Sequence, residues 1–560
     1  MANKDTQRTS AESYRDDRKA RLAQSAKKSQ KKSEKSKAAA KIVKMVVAIV
    51  LAVVVAGGIV WKILDDTAVI KKNTTVFSVG DDIRVSEVEF TYYYSQYLNN
   101  IYSYAQQYAM YGMNIGIDPT KSPDEQNYGT DADGKEMLLS DYLKNETISA
   151  LQTYKILYAE AIKAGYKLTD DEQKSIDDQV EELRNTAAEK KYSLNAYLKA
   201  SYGKGINEKF LRKQLEMQNI VSRYQSDTSK KLTDSYSAAD IKAVYDKDHS
   251  AYNAVDARTL SFSVETLTAK DGESDEQLAT RQKAAAAKVK SEAEAALKAC
   301  TSEKAFLEQA KKKNSSTENY DAESATALTE AAKSTLTSYV SEDAAKWAFD
   351  SARKSGDVKL FEVGSDGNVT SYVILYINKG SYAPMASNVR HILISFTDNA
   401  SSSSEATDEQ KKAAKASADK IYKEWQSGAK TEDSFAALAK EKSKDTGSAA
   451  DGGLISGITS SANYVESFRN WATDSSRKVG DTGIVESEYG YHIMYYSGSD
   501  YAWKSAIRSA KASEDFEKQL TELEGSDEYK LEKNDKKLDK ALKSYLKSFK
   551  QRLAMSNSSK

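Results

Sequence analysis

The segment Trp347-Ala-Phe-Asp-Ser-Ala-Arg-Lys-Ser-Gly-Asp357 returns as Trp471-Ala-Thr-Asp-Ser-Ser-Arg-Lys-Val-Gly-Asp481, with eight of eleven positions identical. A chain that repeats itself over this distance folds part of its length twice. The flanks extend the match. Asp-Ala-Arg258-Thr259-Leu-Ser-Phe aligns with Asn-Val-Arg390-His391-Ile-Leu-Ile, Phe306-Leu-Glu-Gln-Ala-Lys with Phe435-Ala-Ala-Leu-Ala-Lys, and Ser-Tyr372-Val373-Ile-Leu-Tyr with Gly-Tyr491-His492-Ile-Met-Tyr. The offset shrinks from 132 to 119 along the pair, as a few loop deletions would make it. So long a period means duplicated domains, not a solenoid.

The copies differ in histidine. The chain has three, His249, His391 and His492, and two of them bracket the second copy. His249, in Tyr-Asp-Lys-Asp-His-Ser, is expected at the surface.

At 560 residues the chain needs several cores. Its formal charge is zero, yet residues 1–44 hold fourteen Lys/Arg against five Asp/Glu. That tail leads into Met45–Trp61, seventeen uncharged residues between lysines, which Ile42, Val43, Ile63 and Leu64 extend to a membrane helix over 42–64. The basic side belongs in the cytoplasm, so the chain beyond Trp61 is expected outside it, with the cell membrane crossed once. Ala56-Gly57-Gly58 leaves a cleaved signal peptide as the alternative. The tail's low aromatic content and its position argue against nucleic acid as its partner. Cys300 is the single cysteine and sits in a helical pattern, so no intramolecular disulfide forms and an inert, half-buried thiol is expected.

From Phe77 to about Tyr252 the pattern is mainly helical, with a polar Gly/Asp/Pro loop at 113–140 and a capping box at Thr169-Asp-Asp-Glu172. Tyr92, Tyr93, Tyr97, Tyr104, Tyr108 and Tyr111 recur at helical spacing, which suits a core face or an apolar cradle for unfolded chains. The last sixty residues, 501–560, are helical. Leu520, Leu523, Leu531, Leu538, Leu542, Tyr545, Leu546 and Phe549 give them an apolar face that can be solvated at its rim or pack back onto the N-terminal helices. Each repeat reads β–α–α–β with two closing strands, which makes the fold α+β, helices packed on an antiparallel sheet.

Arg390-His391-Ile-Leu-Ile, Phe435-Ala-Ala-Leu-Ala-Lys, Ser443-Lys-Asp445, Asp451-Gly-Gly453, Val465-Glu-Ser-Phe468, Val479-Gly-Asp-Thr-Gly483 and Tyr489-Gly-Tyr-His492-Ile-Met follow one another in order, and with them residues 386–499 resemble the parvulin peptidyl-prolyl isomerases. The wider arrangement is similar to that of the membrane-anchored, extracytoplasmic PrsA- and SurA-type foldases. The resemblance implies a basic tail (1–41), a transmembrane helix (42–64), a helical chaperone-like domain (76–252), a degenerate parvulin-like module (254–381), a parvulin module (386–499) and a C-terminal helical segment (500–560). It implies that His391 and His492 are paired catalytic histidines on neighbouring strands, with Asp445 beside the prolyl amide and Ser487 supporting His492. The resemblance further implies that Phe468 forms the apolar wall of the proline pocket, with Tyr464 where methionine is usual.

The implied function is isomerisation of Xaa-Pro bonds, and chaperoning, in secreted, partly folded chains. Rotation about an amide breaks no bond, so no cofactor and no metal is expected. A His/His/Asp metal site and a Ser-His-Asp hydrolase are the other chemistries such residues permit, but neither a second-shell pattern nor a nucleophile elbow accompanies them. A non-catalytic holdase or surface scaffold is the alternative reading of the whole chain. Asp398, Glu405 and Asp408 fall where phosphate-directed relatives are basic, which argues against phospho-Ser/Thr-Pro substrates. Two departures stand out. Gly452-Gly453-Leu454-Ile455-Ser456 replaces the usual Gly-Gly-Asp-Leu-Gly, and Thr473 replaces a phenylalanine. In the first repeat Thr259, Ser316, Val373 and Ala344 occupy the positions of His391, Asp445, His492 and Phe468, so that copy is expected to be inactive.

Overall fold

The computed structural model describes residues 68–131, 133–365, 368–397 and 406–557. The basic tail, the expected membrane segment 42–64, Asp398 and Glu405 lie outside the described residues. Among the described residues no helix is long and apolar enough to cross a membrane. The chain divides into two compact units, 1–235 with 511–560, and 236–510.

The first unit begins with α1 (Ala68–Asn73), β1 (Thr75–Val79), β2 (Ile83–Ser86) and α2 (Glu87–Met110). After β3 (Asn127–Thr130) and β4 (Glu136–Leu138) come α3 (Leu139–Lys163), α4 (Asp170–Glu189), α5 (Leu194–Tyr202) and α6 (Glu208–Ser235). The strands correct the helical reading of this region. Thr75-Val-Phe-Ser-Val is a short β-branched run closed by a turn, and β3 and β4 form a second hairpin within the expected 113–140 loop. Ser86 then caps α2 by accepting from the Glu89 N–H, and Thr169 and Glu172 cap α4 reciprocally.

The tyrosine stripe on α2 divides along its length. Tyr92 is buried and Tyr93 and Tyr97 pack partly buried against the apolar clusters, whereas Tyr108 and, just past the helix end, Tyr111 are exposed together with Met110 and Met113.

The second unit opens with α7 (Ala238–Tyr245) and then runs the repeat twice. The first copy is β5 (Ala254–Ser263), α8 (Asp275–Ala299), α9 (Glu303–Lys313), α10 (Ala322–Thr326), β6 (Ala327–Ala332), α11 (Lys333–Tyr339), α12 (Glu342–Ala348), β7 (Val358–Ser365) and β8 (Asn368–Tyr382). The second copy is β9 (Met385–Ser395), α13 (Asp408–Ser427), α14 (Glu432–Lys442), β10 (Leu454–Ile458), α15 (Glu466–Thr473), β11 (Thr482–Ser487) and β12 (Gly490–Tyr501). The sheets have equivalent orders, β6-β5-β8-β7 and β10-β9-β12-β11, all antiparallel. Against the β–α–α–β reading with its two closing strands, each copy therefore holds one strand more, and the first holds three additional helices and the second one. The missed strand β10 is Leu454-Ile-Ser-Gly-Ile, too short and too glycine-broken to show period-two alternation. Asp408 begins α13. Cys300 is buried against the first sheet, and burial pushes its thiol up to about 11.

The eleven-residue repeat is a corner of the scaffold. In each copy the arginine stacks on the tryptophan, Arg353 at 5.1 Å from Trp347 and Arg477 at 3.9 Å from Trp471. The Asp350 and Asp474 carboxylates each accept an N–H two residues on. The closing Gly-Asp docks on the sheet. Gly356 N–H donates to the Ile377 carbonyl and Asp357 accepts from Ile377 N–H, with Gly480, Asp481 and Tyr496 repeating the pair.

The last elements are α16 (Ala502–Glu524), β13 (Leu531–Lys533) and α17 (Asp535–Asn557). β13 pairs with β1, and Leu538, Leu542 and Leu546 of α17 are buried in one cluster with Phe77, Phe90 and Tyr94. Within the second unit, Ile241 of α7 packs with Trp503 and Ile507 of α16 in a small core, and the Tyr245 ring stacks on Trp503.

Truncating Leu538 to alanine removes a fully buried side chain from the first unit and should cost it about 2–5 kcal/mol. Urea unfolding followed by far-UV circular dichroism should show that loss as an earlier first transition. Tryptophan fluorescence, whose described reporters Trp347, Trp425, Trp471 and Trp503 all lie in the second unit, should keep its midpoint.

Candidate active site

Strand alternation places Val389 and His391 of β9 on the sheet face that packs on α15, and turns Ile392 and Ile394 toward α13 and α14. β12 lies antiparallel beside β9 with His391 opposite Met494 and His492 opposite Leu393. The two histidines are thus diagonal neighbours on one face. Their Nδ1 atoms are 3.1 Å apart and both side chains are buried.

Each remaining ring nitrogen has a protein partner. His391 Nε2 lies 2.8 Å from Asp445 Oδ2 and 3.1 Å from Ser448 Oγ, and His492 Nε2 lies 2.7 Å from Ser487 Oγ. Hydrogen bonds from His391 and Ser448 hold the Asp445 carboxyl far below the usual carboxylate range, although half-burial opposes them. Asp445 is therefore an acceptor, which puts a proton on His391 Nε2 and leaves its Nδ1 to accept. His492 must then donate from Nδ1 and accept at Nε2 from the Ser487 hydroxyl. A single direction of donation satisfies the whole row, from Ser487 through His492 and His391 to Asp445. Burial, reinforced by the neighbouring His391 ring, lowers His492 to about 3, so it stays neutral at physiological pH.

Backbone geometry locks the row. The His391 N–H donates to the Gly453 carbonyl at 2.8 Å, and a Cβ on Gly453 would lie 2.1 Å from the His391 carbonyl oxygen. With φ at +72°, that position requires glycine. On the opposite face Arg390 binds Glu432 at the start of α14 and the carbonyls of Asp451 and Gly452, which fixes the same loop.

Phe468 of α15 is 2 % exposed, with its ring tilted edge-on to His391 at 5.2 Å and to His492 at 5.3 Å. Tyr464, 39 % exposed, packs at 5.5 Å from Phe468, and burial and the nearby Asp445 charge raise its hydroxyl. All six residues singled out in the sequence, His391, Asp445, Tyr464, Phe468, Ser487 and His492, come together here. Ser448 went unnoticed; its signal was the turn Asp445-Thr-Gly-Ser448, which returns the hydroxyl to the carboxylate it serves at 2.5 Å. Leu454 and Ile455 pair in β10 with Arg390 and Val389. Thr473 turns its hydroxyl back to the Arg469 carbonyl. His249 is exposed and lies against Tyr245, far along the chain from this row. Among the described residues no group of three or more His, Cys, Asp and Glu is placed to hold a metal.

In the first repeat Val373 and Ala344 are buried together with Phe361 and Leu375, so apolar packing replaces the polar row.

A histidine that stays neutral when buried makes the fold acid-sensitive. The unfolded chain protonates His492 near pH 6.5 while the folded chain resists until about 3, so stability falls as pH drops through that window. The depressed Asp445 adds a loss of the same sign, confined to pH below its unfolded value near 3.9. Between pH 6.5 and 5 wild type should lose up to about 2 kcal/mol more than His492→Asn, read by urea unfolding followed through tryptophan fluorescence. Equal pH slopes would contradict a buried neutral His492.

Comparison with known proteins bears on this site directly. Residues 391–498 match the family model described as Rotamase: PPIC-type PPIASE domain. No curated protein matches the sequence. Similar solved structures include PrsA from Bacillus subtilis, at 14 % identity over 76 % of this chain and 93 % of that one with a TM-score of 0.25. The peptidylprolyl isomerase PrsA from Bacillus cereus is 17 % identical over 75 % of this chain and 99 % of its own, with a TM-score of 0.16. A structure of the SurA-like chaperones PEB4 and Cj1289 from Campylobacter jejuni is 24 % identical over 25 % of this chain and 51 % of its own, with a TM-score of 0.16. The family match and the paired histidines lead to one assignment: residues 391–498 are a parvulin-type peptidyl-prolyl isomerase domain.

Proposed function

We propose that the chain is a membrane-anchored, extracytoplasmic foldase whose second repeat isomerises Xaa-Pro bonds in secreted, partly folded proteins. The observation that carries this reading is the buried His391–His492 pair roofed by Phe468 and flanked by the partly exposed Asp445.

The planar amide owes its barrier of roughly 18–20 kcal/mol to charge-separated resonance. A proline ring seated against Phe468 and Tyr464 meets a floor of buried imidazoles, where that charge separation loses the support of water. The twisted amide has a localised nitrogen lone pair and a carbonyl of ordinary polarity, and it suffers less from the same surroundings. Asp445 acts through its charge at the rim, held in place by Ser448 and His391. Asp445 fixes the tautomer of His391, and through it that of His492, whose Nε2 the Ser487 hydroxyl then serves as donor. The first repeat, with an apolar interior at these positions, takes no part in the chemistry.

Membrane anchorage rests on the apolar segment 42–64 and the basic residues before it. A chaperone role for the first unit rests on the exposed apolar end of α2, Tyr108, Met110, Tyr111 and Met113.

A protease-coupled Xaa-Pro assay tests the catalytic claim. Phe468→Ala and His492→Ala should each lower kcat/KM by about ten-fold or more, the scale at which one positioned polar or apolar group acts. Wild-type activity equal to that of both variants would overturn the enzyme reading and leave the holdase alternative. Independently, Tyr111→Ser with Met110→Ser should weaken suppression of client aggregation and leave peptide isomerisation unchanged. Unaltered suppression would remove that patch from the account.

A further inference from the structure

The missed strands β6 and β10 each carry a bulge at the same point of the repeat. Beside β5 the register shifts between Val255 and Ala257, and beside β9 it shifts between the pairs Ile455↔Val389 and Ile458↔Ser387. Aligned through these partners, Glu330 of the first repeat corresponds to Gly457 of the second. Both residues are left-handed, with φ +49° and +78°. Both backbone N–H groups donate to a side chain at a matched position of the neighbouring strand, Glu330 to Asp256 Oδ1 at 2.8 Å and Gly457 to Asn388 Oδ1 at 3.0 Å.

The bulge thus has one architecture and two residues, and the second repeat uses the one that the conformation favours. A Cβ on Gly457 would meet nothing within 4 Å, so crowding does not select the residue here and the backbone angle alone favours glycine. Glutamate at this angle is a conformational outlier, and such outliers point to function when the side chain does something a glycine cannot. The Glu330 side chain crosses to the other repeat, where Oε2 accepts the Ser461 N–H at 3.0 Å.

Ser461 lies in the segment between β10 and α15 that carries Tyr464. The segment is otherwise tied by its own turn, Ala462 N–H to the Thr459 carbonyl, and by Arg469 reaching back to the carbonyls of Ala462 and Tyr464. We propose that Glu330 is a positioning residue for the proline-pocket wall: the inactive repeat holds the 459–464 segment of the active one and thereby sets where Tyr464 stands over Asp445 and Phe468. This rests on the reading of Tyr464 and Phe468 as the wall that binds substrate. It also supplies a physical reason for an inactive copy beside an active one.

The test compares wild type with Glu330→Gly and Glu330→Gln in the purified full chain. The glycine variant copies the other repeat, relieves the left-handed angle and deletes only the reach, so the fold is retained. It should raise KM for an Xaa-Pro peptide by about two- to ten-fold, the worth of one ordinary hydrogen bond, with kcat within two-fold. Amide exchange at 459–464 should quicken by a similar factor, and glutamine, which keeps an acceptor, should restore both readouts. A glycine variant with wild-type KM and wild-type exchange, or a glutamine variant indistinguishable from glycine, would overturn the proposal. The exchange measurement does not depend on turnover. Should wild type prove to have no His492-dependent activity, the catalytic reading falls, while exchange at 459–464 still decides whether Glu330 orders that segment.

Discussion

The short contact between two imidazoles, His391 Nδ1 to His492 Nδ1 at 3.1 Å, is the constraint on which the active repeat depends. Two like groups can share that distance in a buried place only when one donates and the other accepts. This requirement propagates outward. It demands a carboxylate at the far nitrogen of one ring and a hydroxyl at the far nitrogen of the other, and Asp445 and Ser487 supply them. It also demands a fixed stagger between β9 and β12, since a slip by one residue would send one imidazole to the opposite face of the sheet. Gly453, against the His391 carbonyl, and Phe468, across both rings, close the remaining freedom.

Comparison of the repeats separates what makes the fold from what makes the site. The tryptophan–arginine stack, the aspartate turns and the docked Gly-Asp occur in both copies. So does the ion pair from the first strand to the second helix, Arg258 with Glu303 and Arg390 with Glu432. The histidine row occurs once. A sheet of the same order survives its replacement by Val373 and Ala344, which pack as ordinary core. The polar row is therefore not needed for folding, and the desolvation of His492 is a standing cost that the scaffold carries.

The site was legible in the sequence because its groups are borne on short segments whose order and spacing are distinctive: a histidine in each of two strands, an aspartate after a helix, a phenylalanine opening another. Ser448 escaped because a serine in a turn resembles any turn serine until its hydroxyl is seen on Asp445. Strands β6 and β10 escaped because a bulge interrupts their alternation, and β1 because it is only five residues long. The pairing of β13 with β1 joins residues some 450 positions apart, and no local pattern encodes such a partnership. The reach of Glu330 is of the same kind, visible only when the two bulges are superposed.

With three histidines in the chain, selective 15N labelling of histidine gives a ring spectrum simple enough to decide the central claim. The account predicts opposite tautomers for the pair, with the proton on Nε2 of His391 and on Nδ1 of His492, and no protonation of His492 from pH 8 down to pH 5. Identical tautomers in the two rings, or a His492 signal that titrates near 6.5, would contradict it.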